Sequence, residues 1–189
     1  MACARISQLM PTLAWYGRYM HEATRVYGDR MVSESDVDRF TEILLKNAKA
    51  HLGDLNQDEL CAEPNIFGTF VEEAEGDMKL YLPLQGYDHL SKILTKQLQM
   101  YNEQYAMMNL VLFNFAIEHL LKIRRILGQP GGHALLLGVG GSGRQSLTRL
   151  SSRMGDFDVF QVEIRKNYRQ QEWREDMKEL MRQVGKTGN

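Results

Sequence analysis

Apolar residues recur every three or four positions in four stretches of the chain, which is the spacing that lines one face of an α-helix. The stretches cover residues 13–27, 37–44, 90–127 and 173–184. The first two predict a helical hairpin, the third predicts one long helix or two in series, and the fourth predicts an amphipathic helix. The apolar side of that last helix should carry five residues: Trp173, Met177, Leu180, Met181 and Val184.

The second predicted helix has a recognisable start. Ser33 and Ser35 lie three residues before Asp36 and Asp38, which is the offset of an N-terminal capping box with Asp in place of the preferred Glu. We expect the inner face of this helix to consist of Val37, Phe40, Ile43 and Leu44. Residues 53–77 then mix Gly, Pro, Asn and acidic residues with isolated hydrophobic ones, so they are predicted to form a connector with one packed turn.

The pattern changes after a cluster of Gly and Pro at residues 128–132, which ends the helical period. Residues 134–139 form an apolar run of strand length, and a helix is predicted from Gln145 to about Met154. Residues 158–164 alternate in the manner of a second strand. An apolar strand, a glycine-rich turn and a helix therefore follow one another without interruption.

The turn between this strand and its helix matches the glycine spacing of the phosphate-binding Walker A pattern, G-x-x-x-x-G-K-[ST]. Phosphate oxygens must approach the main chain closely enough to collect several N–H donors, and side chains at the glycine positions would obstruct the turns that aim those donors inward. The following helix adds the positive end of its dipole. We therefore predict a nucleotide phosphate site made of Gly138, Val139, Gly140, Gly141, Ser142, Gly143, Arg144, Gln145 and Ser146.

Two positions depart from the pattern and bear on the chemistry. Arg144 stands where the pattern has Lys, so it keeps a cation near the β- and γ-phosphates, but as a wide planar fork rather than a compact ammonium. Gln145 replaces Ser or Thr and has no hydroxyl for Mg²⁺, while Ser146 lies about 100° further round the helix. The motif therefore predicts binding of ATP or ADP, with or without Mg²⁺, and identifies no catalytic residue.

Composition and residue spacing bear on which partners, metal sites and membrane segments to expect. The formal net charge of -1 over 189 residues gives no sequence-wide field for nucleic acid or an anionic membrane, so we expect neither as a partner. The five histidines and two cysteines have no metal-ligand spacing, so no metal site made by the protein alone is expected, and two thiols fit a reducing intracellular setting. The longest apolar stretch, residues 106–117, is too short and too polar to span a bilayer, and residues 1–10 lack the apolar core of a signal peptide.

Longer segments around the loop carry a likeness to one protein family. Residues 132–150, GHALLLGVGGSGRQSLTRL, together with residues 160–164 and 173–180, resemble the fourth AAA+ module of axonemal dynein heavy chains. Segments between Tyr101 and His119 resemble the helix that leads into that module, and residues 21–30 more loosely resemble the helical lid of the third module. In that family Gln is common at the position of Gln145 and Lys or Arg at that of Arg144, so the resemblance makes both departures expected.

The resemblance implies an α/β fold, with a helical N-terminal part like an AAA+ lid followed by an incomplete P-loop NTPase (AAA+) α/β subdomain. Residues 1–76 would be the lid-like region of a preceding AAA+ module, residues 77–128 the connecting helices, and residues 129–189 the N-terminal part of the P-loop domain, truncated before Walker B. In the AAA+ arrangement the two predicted strands are not sheet neighbours, which leaves unpaired edges. The acidic Walker B pair, the sensors and the arginine finger would lie beyond Asn189, so we expect no ATP hydrolysis by this chain alone.

The function that the resemblance implies is an ATP- or ADP-binding segment of a dynein-type microtubule motor of cilia, acting as a regulatory site rather than as the main hydrolytic one. The implied partners are the remaining AAA+ modules of a dynein heavy chain and, through the full-length protein, microtubules and dynein intermediate and light chains. The implied location is the cytoplasm, the cytoskeleton and the ciliary axoneme.

Two alternatives remain open from the sequence. A glycine-rich turn between strand and helix can also serve only to pack the helix close to the sheet, which would make the chain a non-catalytic structural or interaction fragment with a vestigial P-loop. A small P-loop kinase or an unrelated NTPase is disfavoured because its remaining strands would have no room before Asn189.

Overall fold

The computed structural model describes residues 12–52, 66–69, 81–84 and 86–187. It divides into two compact units, Met1–Gly155 and Asp156–Asn189. The described elements in chain order are α1 (Thr12–Val26), a 3₁₀ turn (Gly28–Arg30), α2 (Glu34–Leu52), β1 (Phe67–Gly68), β2 (Leu82–Pro83), α3 (Gly86–Gln104), α4 (Asn114–Leu127), α5 (Arg144–Arg153) and α6 (Gln170–Thr187).

Helices α1 and α2 confirm the predicted N-terminal hairpin. The amide of Asp36 donates to the Ser33 hydroxyl at 3.2 Å, so Ser33 caps α2, whereas Ser35, the other predicted capping residue, lies inside the helix. The buried contacts between the two helices come from Met20 of α1 and from Leu44 and Ala48 of α2, with Ala23, Phe40 and Leu45 packed around them.

The predicted inner face of α2 is half wrong. Phe40 and Leu44 contribute to the buried cluster, whereas Val37 and Ile43 are exposed. Ile43 lies about 100° round the helix from Leu44, which takes it off the stripe that meets α1. Val37 lies in the first turn of α2, outside the buried cluster.

The main core of the first unit is formed by α3, α4 and α5. Its most enclosed side chains are Leu90 and Leu94 of α3, Ile117 and Leu120 of α4, and Leu150 of α5. The apolar period of residues 90–127 allowed one helix or two, and the structure shows two, separated by the non-helical residues 105–113. This core supports α5, the helix that follows the glycine-rich turn.

The break between α3 and α4 is held by one side chain. The Asn102 side chain accepts from the Met108 amide at 2.8 Å and donates to the Met108 carbonyl at 3.2 Å. Both main-chain groups of Met108 are therefore satisfied without helix or sheet, which a buried main chain requires. Met108 itself is buried in the core.

Neither predicted strand forms as a hydrogen-bonded strand in the described part of the chain. Residues 134–139 and 158–164 make no ladder pairs, and the side chains of Leu135, Leu137 and Val139 are 85%, 83% and 79% exposed. A strand is stabilised by lateral main-chain pairing. The two predicted strands are therefore wrong for the described part of the chain, where neither segment has a sheet neighbour.

The described sheet is instead a short antiparallel pair that the sequence did not predict. Phe67 is opposite Pro83 and Gly68 is opposite Leu82. Residues 67 and 68 fall inside the stretch predicted to be a connector, most of which lies outside the described residues. Phe67 is buried and stacks on the Tyr81 ring with the centroids 5.8 Å apart.

In the second unit, α6 confirms the predicted C-terminal helix. Its start is fixed by the amide of Arg169, which donates to the Glu172 carboxylate at 2.9 Å. The hydroxyl of Tyr168 donates to Asp176 at 2.6 Å, and this hydrogen bond raises the pKa of Tyr168 to about 12. On the predicted apolar side Met177 and Leu180 are partly covered, whereas Trp173, Met181 and Val184 are exposed.

No helix within the described ranges combines the length and the apolar character needed to cross a lipid bilayer.

Candidate functional site

The predicted phosphate loop has the backbone shape of a tight turn that leads straight into a helix. The amide of Ser142 donates to the Val139 carbonyl at 3.3 Å and closes the turn. Gly141 and Gly143 have φ values of 78° and 77°, in the left-handed region that side chains with a Cβ rarely enter. Glycine at these two positions is therefore a conformational requirement of the turn. Helix α5 begins at the next residue, Arg144.

The first turn of α5 presents main-chain donors. The amide of Leu147 makes the first helical bond, to the Gly143 carbonyl at 2.8 Å, so the amides of residues 144–146 precede the intrahelical ladder. Gly143 is the N-cap, and no side chain caps it in the part of the chain that the structure describes. Uncapped amides at the positive end of a helix can donate to an anion such as a phosphate.

Arg144 does not extend away from the loop. One terminal guanidinium nitrogen donates to the Val139 carbonyl at 3.2 Å, and the other lies 3.5 Å from the Leu136 carbonyl, at the outer limit of a hydrogen bond. A Cβ on Gly138 would lie 2.9 Å from the Ser142 hydroxyl oxygen and 3.4 Å from Cδ of Arg144. Gly138 therefore leaves the space that the folded-back arginine and Ser142 occupy.

The helix behind the loop is firmly seated. Leu147 and Leu150 are buried in the core, and the hydroxyl of the fully buried Ser151 donates to the Leu120 carbonyl at 3.2 Å. The Thr148 hydroxyl donates to the Arg144 carbonyl at 2.8 Å. The end of α5 that carries the donors is thus fixed relative to α4, although the extended segment before the loop is exposed.

One neighbour of the loop escaped the sequence interpretation. A Cβ on Gly143 would lie 3.9 Å from a terminal methyl of Leu110, in the non-helical segment between α3 and α4. Leu110 is partly buried against the main core. The apolar period through residues 90–127 had placed Leu110 within a helical run, and no local signal showed that it would meet a residue 33 positions later.

The structure places the nine predicted site residues in a single turn and the first helical turn after it. The side chain of Gln145 is exposed, and those of Arg144 and Ser146 are partly buried. Positive-φ glycines and an uncapped helix start fit a bound phosphate group. Within the described ranges, no group of three His, Cys, Asp or Glu side chains lies close enough together to hold a metal ion.

A partly buried polar cluster lies elsewhere in the first unit, and the sequence gave no sign of it. Glu22 of α1 accepts hydrogen bonds from the Arg125 guanidinium of α4 and, at 2.6 Å, from the Tyr81 hydroxyl. Burial raises the pKa of the Glu22 carboxyl, but hydrogen bonds from Arg125 and Tyr81 outweigh it and the net pKa is lowered. Burial, followed by the hydrogen bond to Glu22, raises the pKa of Tyr81. A cavity of about 420 Å³ adjoins this cluster.

Two known protein families match this chain, one over its N-terminal part and one over its C-terminal part. A family described as "P-loop containing dynein motor region D4" matches residues 108–189, and one described as "AAA+ lid domain" matches residues 5–62. Together these matches confirm the predicted fold class, a lid-like helical part followed by part of a P-loop α/β domain.

Individual relatives point the same way. The dynein beta chain, ciliary, of Tripneustes gratilla is 46% identical over 79% of this chain and 3% of its own length. Dynein axonemal heavy chain 17 of Mus musculus is 47% identical over the same shares. Dynein axonemal heavy chain 2 of Homo sapiens is 42% identical over 88% of this chain and 4% of its own length. The chain therefore spans only about 3 to 4% of the length of these relatives.

Proposed function

Because the chain belongs to the family of axonemal dynein heavy chains, we propose that it is a segment of a dynein-type microtubule motor of cilia and that residues 138–146 bind ATP or ADP. The observation that carries this proposal is the turn itself, in which two left-handed glycines lead into an uncapped helix start. Main-chain amides at such a position are donors for a phosphate.

The proposed role of the site is regulatory. Gln145 has an amide where a hydroxyl would meet Mg²⁺, and Arg144 is engaged with main-chain carbonyls. Mg²⁺ bound with the nucleotide would neutralise phosphate charge, and Ser146 is the nearest hydroxyl in the first helical turn. Neither Gln145 nor Arg144 is arranged to activate a water, so we propose that nucleotide is held here and that the main hydrolysis occurs in another module.

The surroundings that we propose follow from the family. The remaining AAA+ modules of a dynein heavy chain are the proposed immediate partners, and microtubules and dynein intermediate and light chains are partners through the full-length protein. The proposed location is the cytoskeleton of the ciliary axoneme. The names of the relatives, ciliary and axonemal dynein chains, support this placement.

Calorimetric titration of the 189-residue chain with ADP and with ATP tests the proposed binding. We expect saturable heat for both nucleotides in a chain whose circular dichroism shows it to be folded. Absence of heat and of any thermal shift at roughly millimolar nucleotide would remove the proposal, because a site weaker than that contributes less than about 4 kcal/mol.

A charge-matched pair of variants locates the binding. Gly143→Asp puts a carboxylate beside the first-turn amides and a Cβ on a residue with a φ of 77°, so repulsion of phosphate and strain in the turn should together lower nucleotide affinity roughly a hundredfold. Gly185→Asp adds the same charge to α6, where a Cβ meets nothing within 4 Å, and should leave affinity unchanged. Equal affinities for the two variants would place any bound nucleotide elsewhere.

The alternative function is a structural or interaction segment with a vestigial P-loop. The exposed apolar side chains Trp173, Met181 and Val184 on α6 favour it, because such a face is suited to packing against other protein. This alternative predicts that nucleotide changes neither the stability of the wild-type chain nor that of Gly143→Asp. A nucleotide-dependent rise in the wild-type unfolding temperature that the variant lacks would exclude it.

A further inference from the structure

We propose that the cavity beside Glu22 and Arg125 binds a small phosphomonoester whose organic part is aromatic. The cavity has a volume of about 420 Å³, and its lining residues come from α1, from α4 and the residues just after it, and from the strand pair and its flanks. Small-molecule sites in proteins have volumes of roughly 300 to 1,000 Å³, so a compact organic phosphate fits. None of residues 138–146 lines this cavity, so the site is separate from the phosphate loop.

The first step is the charge of the cavity wall. The charged side chains among its described lining residues are three arginines and one glutamate: Arg18, Arg124, Arg125 and Glu22. Three positive charges less one negative give this wall a formal charge of +2. At pH 7 a phosphomonoester carries about −1.5 to −2 charges, so the wall and the ligand are of similar magnitude and opposite sign.

The second step concerns the one carboxylate of that wall, which would repel an anion if its charge were exposed to it. Glu22 accepts hydrogen bonds from the Arg125 guanidinium and, at 2.6 Å, from the Tyr81 hydroxyl. The ion pair with Arg125 compensates the charge of Glu22 within the wall. A ligand anion therefore pairs mainly with the other two arginines, Arg18 and Arg124.

The third step is the position of Arg124, the most buried of the three arginines. Its exposed fraction is 9%, and a Cβ on Gly128 would lie 3.0 Å from one terminal nitrogen of its guanidinium. Glycine at residue 128 therefore leaves the space that this guanidinium occupies, and both residues line the cavity. Arg124 and Arg18 already interact with the protein. A guanidinium has five N–H donors, so it can keep a protein contact and still bind a phosphate oxygen.

The fourth step is the aromatic part of the wall, which distinguishes an organic phosphate from the inorganic ion. Phe67 and Tyr81 both line the cavity and stack with their ring centroids 5.8 Å apart. The guanidinium carbon of Arg18 lies 5.0 Å from the centroid of the Tyr81 ring. Aromatic side chains pack well against another ring, and a cation held over one of them is suited to the anion that the ring carries.

Titration of the 189-residue chain with phenyl phosphate tests the proposal, with heat and phosphorus NMR as the two readouts. We expect saturable binding to chain that circular dichroism shows to be folded. Phenyl sulfate has the same shape and one negative charge fewer, so it should bind roughly tenfold more weakly, and phenol should not bind measurably. Absence of phenyl phosphate binding in both readouts, or equal affinity for phenyl phosphate and phenol, would overturn the proposal.

Variants that each remove one arginine locate the binding. Arg124→Met and Arg18→Met should each weaken phenyl phosphate roughly tenfold or more. Arg153→Met is the matched control, because Arg153 donates to the Gln104 side chain at 2.8 Å and is not a lining residue. Wild-type affinity in Arg18→Met, or an equal loss in Arg153→Met, would contradict the proposal. If Arg124→Met does not fold, Arg18→Met decides alone, since Arg18 is less buried.

Gly143→Asp separates this site from the phosphate loop, which also offers donors to phosphate. The variant should weaken nucleotide binding and leave the affinity for phenyl phosphate at the wild-type value. Loss of phenyl phosphate binding in Gly143→Asp together with wild-type binding in Arg18→Met would assign the ligand to the loop and overturn the proposal. If the wild-type chain binds neither ADP nor ATP, the proposed function fails, while the phenyl phosphate titrations still decide the cavity site.

Discussion

Helix α4 and the segment at residues 134–139 are both rich in apolar residues, yet the apolar side chains of α4 are mostly buried and those of the segment are mostly exposed. In α4, Ile117, Leu120 and Ile123 are buried against α3 and α5. In the extended segment, Leu135, Leu137 and Val139 face outward and only Leu136 packs against the core. A helix satisfies its main chain internally, whereas a strand depends on neighbours for the same bonds. Hydrophobicity alone therefore does not decide which part of this chain forms stable structure.

The largest expected effect contrasts one leucine from each region. Leu120→Ala removes a side chain with 0% exposure and should lower the free energy of unfolding by about 2 to 5 kcal/mol, through lost burial and the cavity that remains. Leu135→Ala removes the same atoms from an exposed position and should change it by less than about 0.5 kcal/mol. Urea unfolding followed by circular dichroism measures both. Similar losses would show that residues 134–139 are buried in solution.

The next prediction concerns a non-helical segment that is well held. Asn102→Ala leaves both main-chain groups of the buried Met108 without their partner, so the free energy of unfolding should fall by about 1 to 3 kcal/mol. The same urea experiment applies. Asn102→Asp is the matched control, since its carboxylate can still accept from the Met108 amide but cannot donate to the carbonyl. If Asn102→Asp lost as much stability as Asn102→Ala, the effect would be due to the hydrogen bond that Asn102 donates to the Met108 carbonyl.

The smallest expected effect concerns the ion pair between Glu22 of α1 and Arg125 of α4. The pKa of Glu22 is lowered in the folded chain from 4.5, so its contribution to stability is present above about pH 4.5 and is lost as the pH falls through the lowered pKa. Glu22→Gln should lack this component and should cost about 1 kcal/mol at pH 7, because the Arg125 pair is partly open to solvent. Unfolding measured between pH 7 and pH 3 checks both statements.

A second carboxylate provides the control for that prediction. Glu42 pairs with Arg39 at 3.6 Å, and both side chains are largely exposed. Glu42→Gln should therefore leave the free energy of unfolding at pH 7 near the wild-type value. If the two glutamine variants behave alike, burial of Glu22 beside Tyr81 and Arg125 has no energetic consequence.

Sequence patterns predicted what local spacing determines. Residues 13–27 were predicted to be helical and α1 is Thr12–Val26, while the helix predicted from Gln145 to about Met154 is Arg144–Arg153. The glycine spacing likewise identified the turn before α5, because that turn is built from consecutive residues. Helical period and turn chemistry both act over a few positions, so one sequence is enough to detect them.

Contacts between distant residues could not be predicted in this way. Glu22 meets Tyr81 and Arg125 across separations of 59 and 103 residues, and Leu110 reaches Gly143 from a segment that had been interpreted as helical. The direction of the Arg144 side chain also depends on the carbonyls that the folded turn offers. These features follow from packing, which periodicity does not encode. The prediction of two strands was wrong for a related reason. A strand forms only beside a neighbouring strand, and its own residues do not specify that neighbour.

The outward row of Leu135, Leu137 and Val139 has a practical consequence. A segment without ladder pairs beside exposed leucines is a template onto which a second molecule can add a strand. At high protein concentration, self-association through this edge would compete with intramolecular order and bring two phosphate loops close to one another. Nucleotide titrations are therefore best made on dilute samples, with light scattering recorded alongside the heat.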